Sequence, residues 1–225
     1  MYKSAVAGFL FLLVSTSMSD NIENARVEPR EPRDPRLQIV SEAEQGSPFS
    51  QLAAADMFYA RGTYEDAFYW YSIAVRSFTS NPTAFSAEVI KYEMSAAEYN
   101  LAAMFFNGLG TDSDKKQAFK LYAEAGRKRH LAAQVQLGMM YVYAEGIQQH
   151  YGLGYAWLYA AELNGENSKD VKKVLKMIEG KMDRKSLDNA RKMSEQWIDE
   201  AVLEKLAQRK KTRFAFISNW FKKSV

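Results

Sequence analysis

Two histidines, His130 and His150, are the residues whose type best suits acid–base chemistry or metal ligation in this sequence, and their surroundings argue against both roles. An imidazole works as a base when a second group fixes its tautomer, and as a zinc ligand when further donors converge on it. Here His130 falls in a turn between repeated units and His150 in a loop inside one, with no His-x-x-x-His spacing and no cysteine anywhere in the chain. The adjacent carboxylates Glu65-Asp66 do not face one another on a helix, and early in a helix they complement the positive end of its dipole. Asp112-x-Asp114 lacks the remaining oxygen ligands of a calcium loop and reads as helix capping. Gly108-Leu109-Gly110 lacks the lysine and the preceding strand of a phosphate-binding loop. The residues therefore predict no catalytic group, no metal and no cofactor.

The elements that carry these residues are helices written twice. Shifted by 36 positions, Ala96, Ala97, Leu101, Met104, Gly110 and Ala125 fall on Ala132, Ala133, Leu137, Met140, Gly146 and Ala161, while Phe105 falls on Tyr141 and Phe119 on Tyr155. A fixed period of this size marks stacked two-helix units, none of which buries its apolar face alone. In the later unit Ala133, Leu137 and Met140 recur at helical spacing, and Gly138 lets a second helix approach closely. The run from Asn107 to Asp114 is a dense turn whose glycines supply positive φ, and the helix after it carries Ala118, Leu121, Tyr122 and Ala125.

At these positions the chain resembles the Sel1-like repeat family, relatives of the tetratricopeptide repeats. The earlier copy keeps Phe105, Gly108, Gly110, Asp114, Ala118, Tyr122 and Ala125 of the family pattern; the later keeps Leu137, Gly138, Tyr141, Gly146, Tyr151, Trp157, Ala161 and Gly165. Three departures stand out, Ala144 for the first loop glycine, His150 for the aspartate and Gly154 for the helix alanine. The resemblance implies an all-α, right-handed superhelix of about three helical hairpins, with a concave groove that holds a protein or peptide.

The rest of the chain divides around these repeats. Lys3, the apolar run 5–14 and the small residues 15–19 read as a signal peptide, too short for the roughly 20 apolar residues of a membrane span. This implies export, to the periplasm in a Gram-negative bacterium and otherwise to the exterior. Residues 20–47, with Pro29, Pro32 and Pro35 among alternating charges, read as an extended, disordered linker. Residues 48–167 hold the repeats: helical character over 51–60, a break at Gly62, a second helix over 64–74, and a longer helix over about 84–106. Residues 168–207 form a helical cap, with one helix over 170–178 and one amphipathic run over 187–207. The tail 208–225 holds Arg209, Lys210, Lys211, Arg213, Trp220, Lys222 and Lys223 and no acid, a basic aromatic pattern suited to an anionic membrane surface or a partner. The formal net charge of +3 gives no bulk argument for nucleic-acid binding.

Function is thus sought on a stacked surface. Residues offset by one or two from the inward Leu101/Leu137 and Phe105/Tyr141 positions are the groove candidates: Tyr59, Tyr99, Ala103, Phe106, Asn107, Met139, Val142 and Tyr143. Aromatic and methionine side chains bury much area at low conformational cost. The leading expectation is an exported, non-enzymatic adaptor or scaffold. Two alternatives stand beside it: a cell-wall or β-lactam-type ligand binder or hydrolase, since the resemblance extends to proteins of that kind, and a membrane-surface tether acting through the tail.

Overall fold

The computed structural model describes residues 35–198 and, after them, 200, 202–205, 208 and 211. Residues 1–34, which carry the expected signal peptide and most of the expected linker, lie outside the described residues. Within them the chain is helical throughout, with no strand.

The first helix, α1 (Pro35–Glu44), corrects the reading of 20–47 as linker throughout. After Pro35 the proline period stops, and Ile39, Val40 and Ala43 supply an apolar face, with Ala43 1% exposed and the helix packed on the next one. That next helix, α2 (Pro48–Ala60), starts where Ser47 accepts from the Ser50 amide and Pro48 occupies the first turn. Gly62, at φ +76°, turns the chain into α3 (Tyr64–Ser80). A 3-10 turn (Pro82–Ala84) comes next; after residues 85–86 a single turn α4 (Ala87–Val89) and a π-helical turn (Ile90–Met94) lead without a break into α5 (Ser95–Asn107). The long helix expected over about 84–106 is therefore helical from Ala87 onward, with a π-helical turn inside it.

The second and third hairpins follow at the 36-residue period, α5 with α6 (Lys115–Arg127), then α7 (Leu131–Tyr143) with α8 (Tyr151–Leu163). Small residues mark each crossing: Ala55 and Ala67, Ala102 and Ala118, Gly138 and Gly154. A Cβ on Gly138 would lie 2.4 Å from Leu158 Cγ, the close approach that glycine was expected to permit. Asp114 caps α6 by accepting from the amides of Lys116 and Gln117 at 3.0 and 2.9 Å. At the same register His150 Nδ1 accepts from the Leu153 amide at 3.0 Å, so the imidazole replaces the carboxylate as a cap.

Three apolar clusters run along the stack, the first among α2, α3 and α5, the second among α5, α6 and α7, the third from α7 into the terminal helices. Each hairpin's core is completed by the next, as a solenoid requires. The loops also stack. Gly110 and Gly146, 36 residues apart at φ +70° and +73°, press on Tyr64 and Lys115, the first residues of the preceding hairpins' second helices.

The end of the stack is closed by α9 (Lys169–Glu179) and α10 (Arg184–Ser194). The amphipathic run expected over 187–207 is interrupted: a 3-10 turn (Glu195–Trp197) follows Ser194, and Ile198 is extended and fully buried. The reason is the Trp197 ring, stacked on Trp157 at 3.6 Å between centroids, which pulls the chain onto the third hairpin. Tyr155, Glu179 and Arg191 tie α8, α9 and α10 together. The Tyr155 hydroxyl donates to Glu179 at 2.9 Å and accepts from Arg191 at 3.2 Å, and burial pushes its pKa up to about 12.

Candidate functional site

Aromatic side chains at the edge of the core gather where α2, α5 and α6 meet. On α2, Asp56 and Tyr59 are three residues apart and share a face. On α5, Tyr99, Ala103 and Phe106 recur at helical spacing and are half-buried, with Asn100 beside them. Between these helices the second-helix tyrosines reach through from behind: Tyr71 of α3 and Tyr122 of α6 hold the same position in their hairpins.

Polar contacts fix this surface. The Tyr71 hydroxyl donates to Asp56 Oδ1. The Asn100 amide donates to the Tyr71 oxygen at 3.1 Å and to the same Asp56 oxygen at 3.4 Å. Three helices are thereby joined at one carboxylate. Burial first, then the hydrogen bond to Asp56, then the Asp56 charge push the Tyr71 phenol well above its ordinary value, so the hydroxyl keeps its proton and stays a donor. Tyr122 lies with its ring 5.6 Å from Tyr99 and 6.4 Å from Phe106, and burial raises both tyrosine phenols, with Tyr59 close enough to add to the effect. Tyr59 itself is 42% exposed and edge-on to Tyr64 at 5.5 Å.

His130 stands behind this wall. Its ring stacks on Tyr99 at 4.6 Å, its Nδ1 accepts from the Ala133 amide at 3.3 Å, and burial lowers its pKa. Both histidines are thus helix caps. Among the described residues no group of three or more His, Cys, Asp or Glu is placed to hold a metal ion. Ser113 and Lys116 have the Ser-x-x-Lys spacing of some acyl-enzyme nucleophiles, but the Ser113 hydroxyl donates to the Phe106 carbonyl at 3.1 Å as a turn brace.

The structure brings together Tyr59, Tyr99, Ala103 and Phe106, and leaves Asn107 exposed beside them, its amide donating to the Ala103 carbonyl at 2.8 Å. Tyr143 is 55% exposed one hairpin further along. Val142 is a correction. It is 2% exposed, in the third cluster, because it fills the space that Gly154 leaves on α8. Met139 is half-buried against the same cluster. Asp56, Asn100, Tyr71 and Tyr122 were missed. Asp56 lies three residues before Tyr59 on the same helix face, whereas the two second-helix tyrosines follow the repeat pattern and belong to the core. Of the basic tail, Lys211 is helical and exposed; Arg209, Lys210, Arg213, Trp220, Lys222 and Lys223 lie outside the described residues. No described helix is long and apolar enough to cross a membrane.

Comparison with known proteins bears on the fold. No family model matches the sequence, and no curated protein does. Among solved structures the chain is similar to a protective antigen present in uropathogenic Escherichia coli strains and displaying an SLR fold, at 25% identity and a TM-score of 0.61 over 78% of this chain and 35% of that one. A Sel1 repeat protein from Oxalobacter formigenes aligns at 20% identity and a TM-score of 0.49, covering 63% of this chain and 96% of that one. This chain therefore spans about a third of the length of the antigen it matches. With the 36-residue repeat and the stacked hairpins in view, the chain has the fold of the Sel1-like repeat proteins, an all-α superhelix.

Proposed function

We propose that this chain is an adaptor that binds a partner protein in the tyrosine-lined groove between its first two hairpins and performs no chemistry of its own. The observation that carries the reading is the meeting of Asp56, Tyr71 and Asn100 from three helices beside the exposed ring of Tyr59. Such a surface combines rigid aromatic area with fixed hydrogen-bonding groups, the composition of energetic centres in protein interfaces. The role of the fold is consistent with this, since Sel1-like repeats are generally protein-interaction modules. Both histidines are occupied as caps, which supports a binding role over an acid–base one. The apolar run and small residues of 1–19 support export, so the partner belongs to the cell envelope or the exterior.

Site-specific photocrosslinking tests the reading. A benzophenone amino acid replaces Tyr59 or, as a control, Tyr69 of α3, which is 57% exposed. In the native host, Tyr59 should yield discrete adducts absent at Tyr69. No adduct at Tyr59, or the same adducts at both positions, would refute it.

A further inference from the structure

The carboxylate at the centre of the groove is only half used. Asp56 Oδ1 receives both donors, the Tyr71 hydroxyl and the Asn100 amide, while Oδ2 has no hydrogen-bond partner among the described residues. Asp56 is exposed and forms no ion pair among them. Some other carboxylates on the stack are paired, Glu98 with Lys128, Glu145 with Lys115 and Glu179 with Arg191. The groove aromatics differ in the same way. Phe106 already has the Lys115 ammonium over its ring at 4.9 Å, and Tyr99 is stacked against His130. Among the described residues Tyr59, on the same face of α2 as Asp56, has neither a cation over its ring nor a stacked neighbour, and makes an edge contact with Tyr64. A fixed negative charge without a counter-ion lies beside an open aromatic face.

We infer that the groove selects an arginine of the partner chain, whose guanidinium donates to Asp56 Oδ2 and lies on the ring of Tyr59. Arginine suits the site better than lysine because its planar cation stacks on an aromatic face while its forked donors meet a carboxylate oxygen in the same plane. Tyr71 and Asn100 act as positioning residues. They hold Oδ1, so the open oxygen keeps one direction before the ligand arrives, and little order remains to be imposed on binding. This inference rests on the groove being the partner site and specifies what the groove reads.

The test uses short probes and the full chain. Acetyl-Gly-Arg-Gly-amide and its citrulline counterpart, a neutral side chain of nearly the same shape, are titrated against isotopically labelled protein and followed by NMR. The arginine probe should shift the resonances of Asp56, Tyr59 and the Asn100 side-chain amide, and the citrulline probe should bind at least tenfold more weakly. Asp56→Asn retains an acceptor for Tyr71 and Asn100, so the fold is kept, and it should weaken the arginine probe at least tenfold; Tyr59→Leu should do the same through the lost π face. Equal binding of the two probes, unchanged binding by Asp56→Asn, or shifts confined to other residues would overturn the inference. The benzophenone adduct at Tyr59 separates this failure from failure of the adaptor reading. Adducts at Tyr59 with no arginine preference leave the groove as the partner site and remove only the cation.

Discussion

Replacing Gly110 by alanine should unfold the contact between the first two hairpins, and the neighbouring glycine provides the control. Gly108 and Gly110 share one loop and nearly the same left-handed backbone, at φ +68° and +70°. Alanine in that region costs about 1 kcal/mol at either site, after the smaller entropy of its unfolded chain is counted. The surroundings differ. At Gly108 an added Cβ meets nothing closer than 3.4 Å, whereas at Gly110 it would lie 2.1 Å from the Tyr64 carbonyl oxygen, 2.5 Å from its carbon and 2.8 Å from the Glu65 nitrogen. These are backbone atoms in the first turn of α3, and no rotamer change relieves them. Forced overpacking adds about 1–3 kcal/mol, so Gly110→Ala should lose about 2–4 kcal/mol in urea denaturation followed by helical circular dichroism. Gly108→Ala should lose only about 1 kcal/mol by its backbone alone. Losses equal within about 0.5 kcal/mol would show that the loop does not seat on α3 and that the variants differ only in torsion.

Three further outcomes follow from the same repeat geometry. Ala144 occupies the Gly108 position of the third hairpin in the left-handed region, at φ +58°, so Ala144→Gly should stabilise by about 0.5–1 kcal/mol in the same denaturation assay. Lys128→Ala leaves the Glu98 carboxylate, 2% exposed, without its 2.8 Å partner and should destabilise by about 3 kcal/mol; adding Glu98→Gln with Asn at 128 copies the Gln134–Asn164 pair of the next hairpin and should recover most of the loss. The His130 cap predicts acid sensitivity. Burial lowers its pKa below the 6.5 of a free imidazole, so the unfolded state binds the proton first and stability falls as pH drops below about 6.5. His130→Asn caps without titrating and should flatten that part of a thermal-stability profile between pH 7 and pH 5, a result that parallel profiles would contradict.

The hairpins were legible because their signal is periodic: small residues at helix crossings and glycines at loop positions repeat every 36 residues, and both follow from backbone contacts that any copy must satisfy. The departures were legible as substitutions but not as functions. His150 stands where Asp114 stands one unit earlier, and only the 3.0 Å bond from the Leu153 amide shows that an imidazole nitrogen serves as the same cap. The groove was legible only in part, because its floor comes from two chain regions. Tyr59 and Phe106 could be placed from first-helix spacing alone, but Tyr71 arrives from α3, is only 2% exposed, and meets Asp56 of α2 through its hydroxyl. Val142 failed for the converse reason. Its exposure depends on whether α8 carries alanine or glycine opposite, and Gly154 draws the valine inward.

One buried polar position explains how the stack begins and ends. The fourth residue of each first helix is Gln51, Glu98 or Gln134, all almost fully buried. Such groups are stable inside a core only when paired. Gln134 donates to the Gly126 carbonyl at the end of α6 and accepts from Asn164 at the end of its own hairpin. Gln51 donates in the same way, eight residues back, to the Ala43 carbonyl at the end of α1. In hydrogen-bonding terms α1 therefore stands where the second helix of a preceding hairpin would stand, which is why a stretch written like a linker becomes helical. At the other end the Trp197 carbonyl accepts from both Gln134 and Asn164, at 2.9 and 2.8 Å, closing the base of the last hairpin with backbone from the terminal turn. The polar residue that joins one hairpin to the next is thus also the one that fixes both caps.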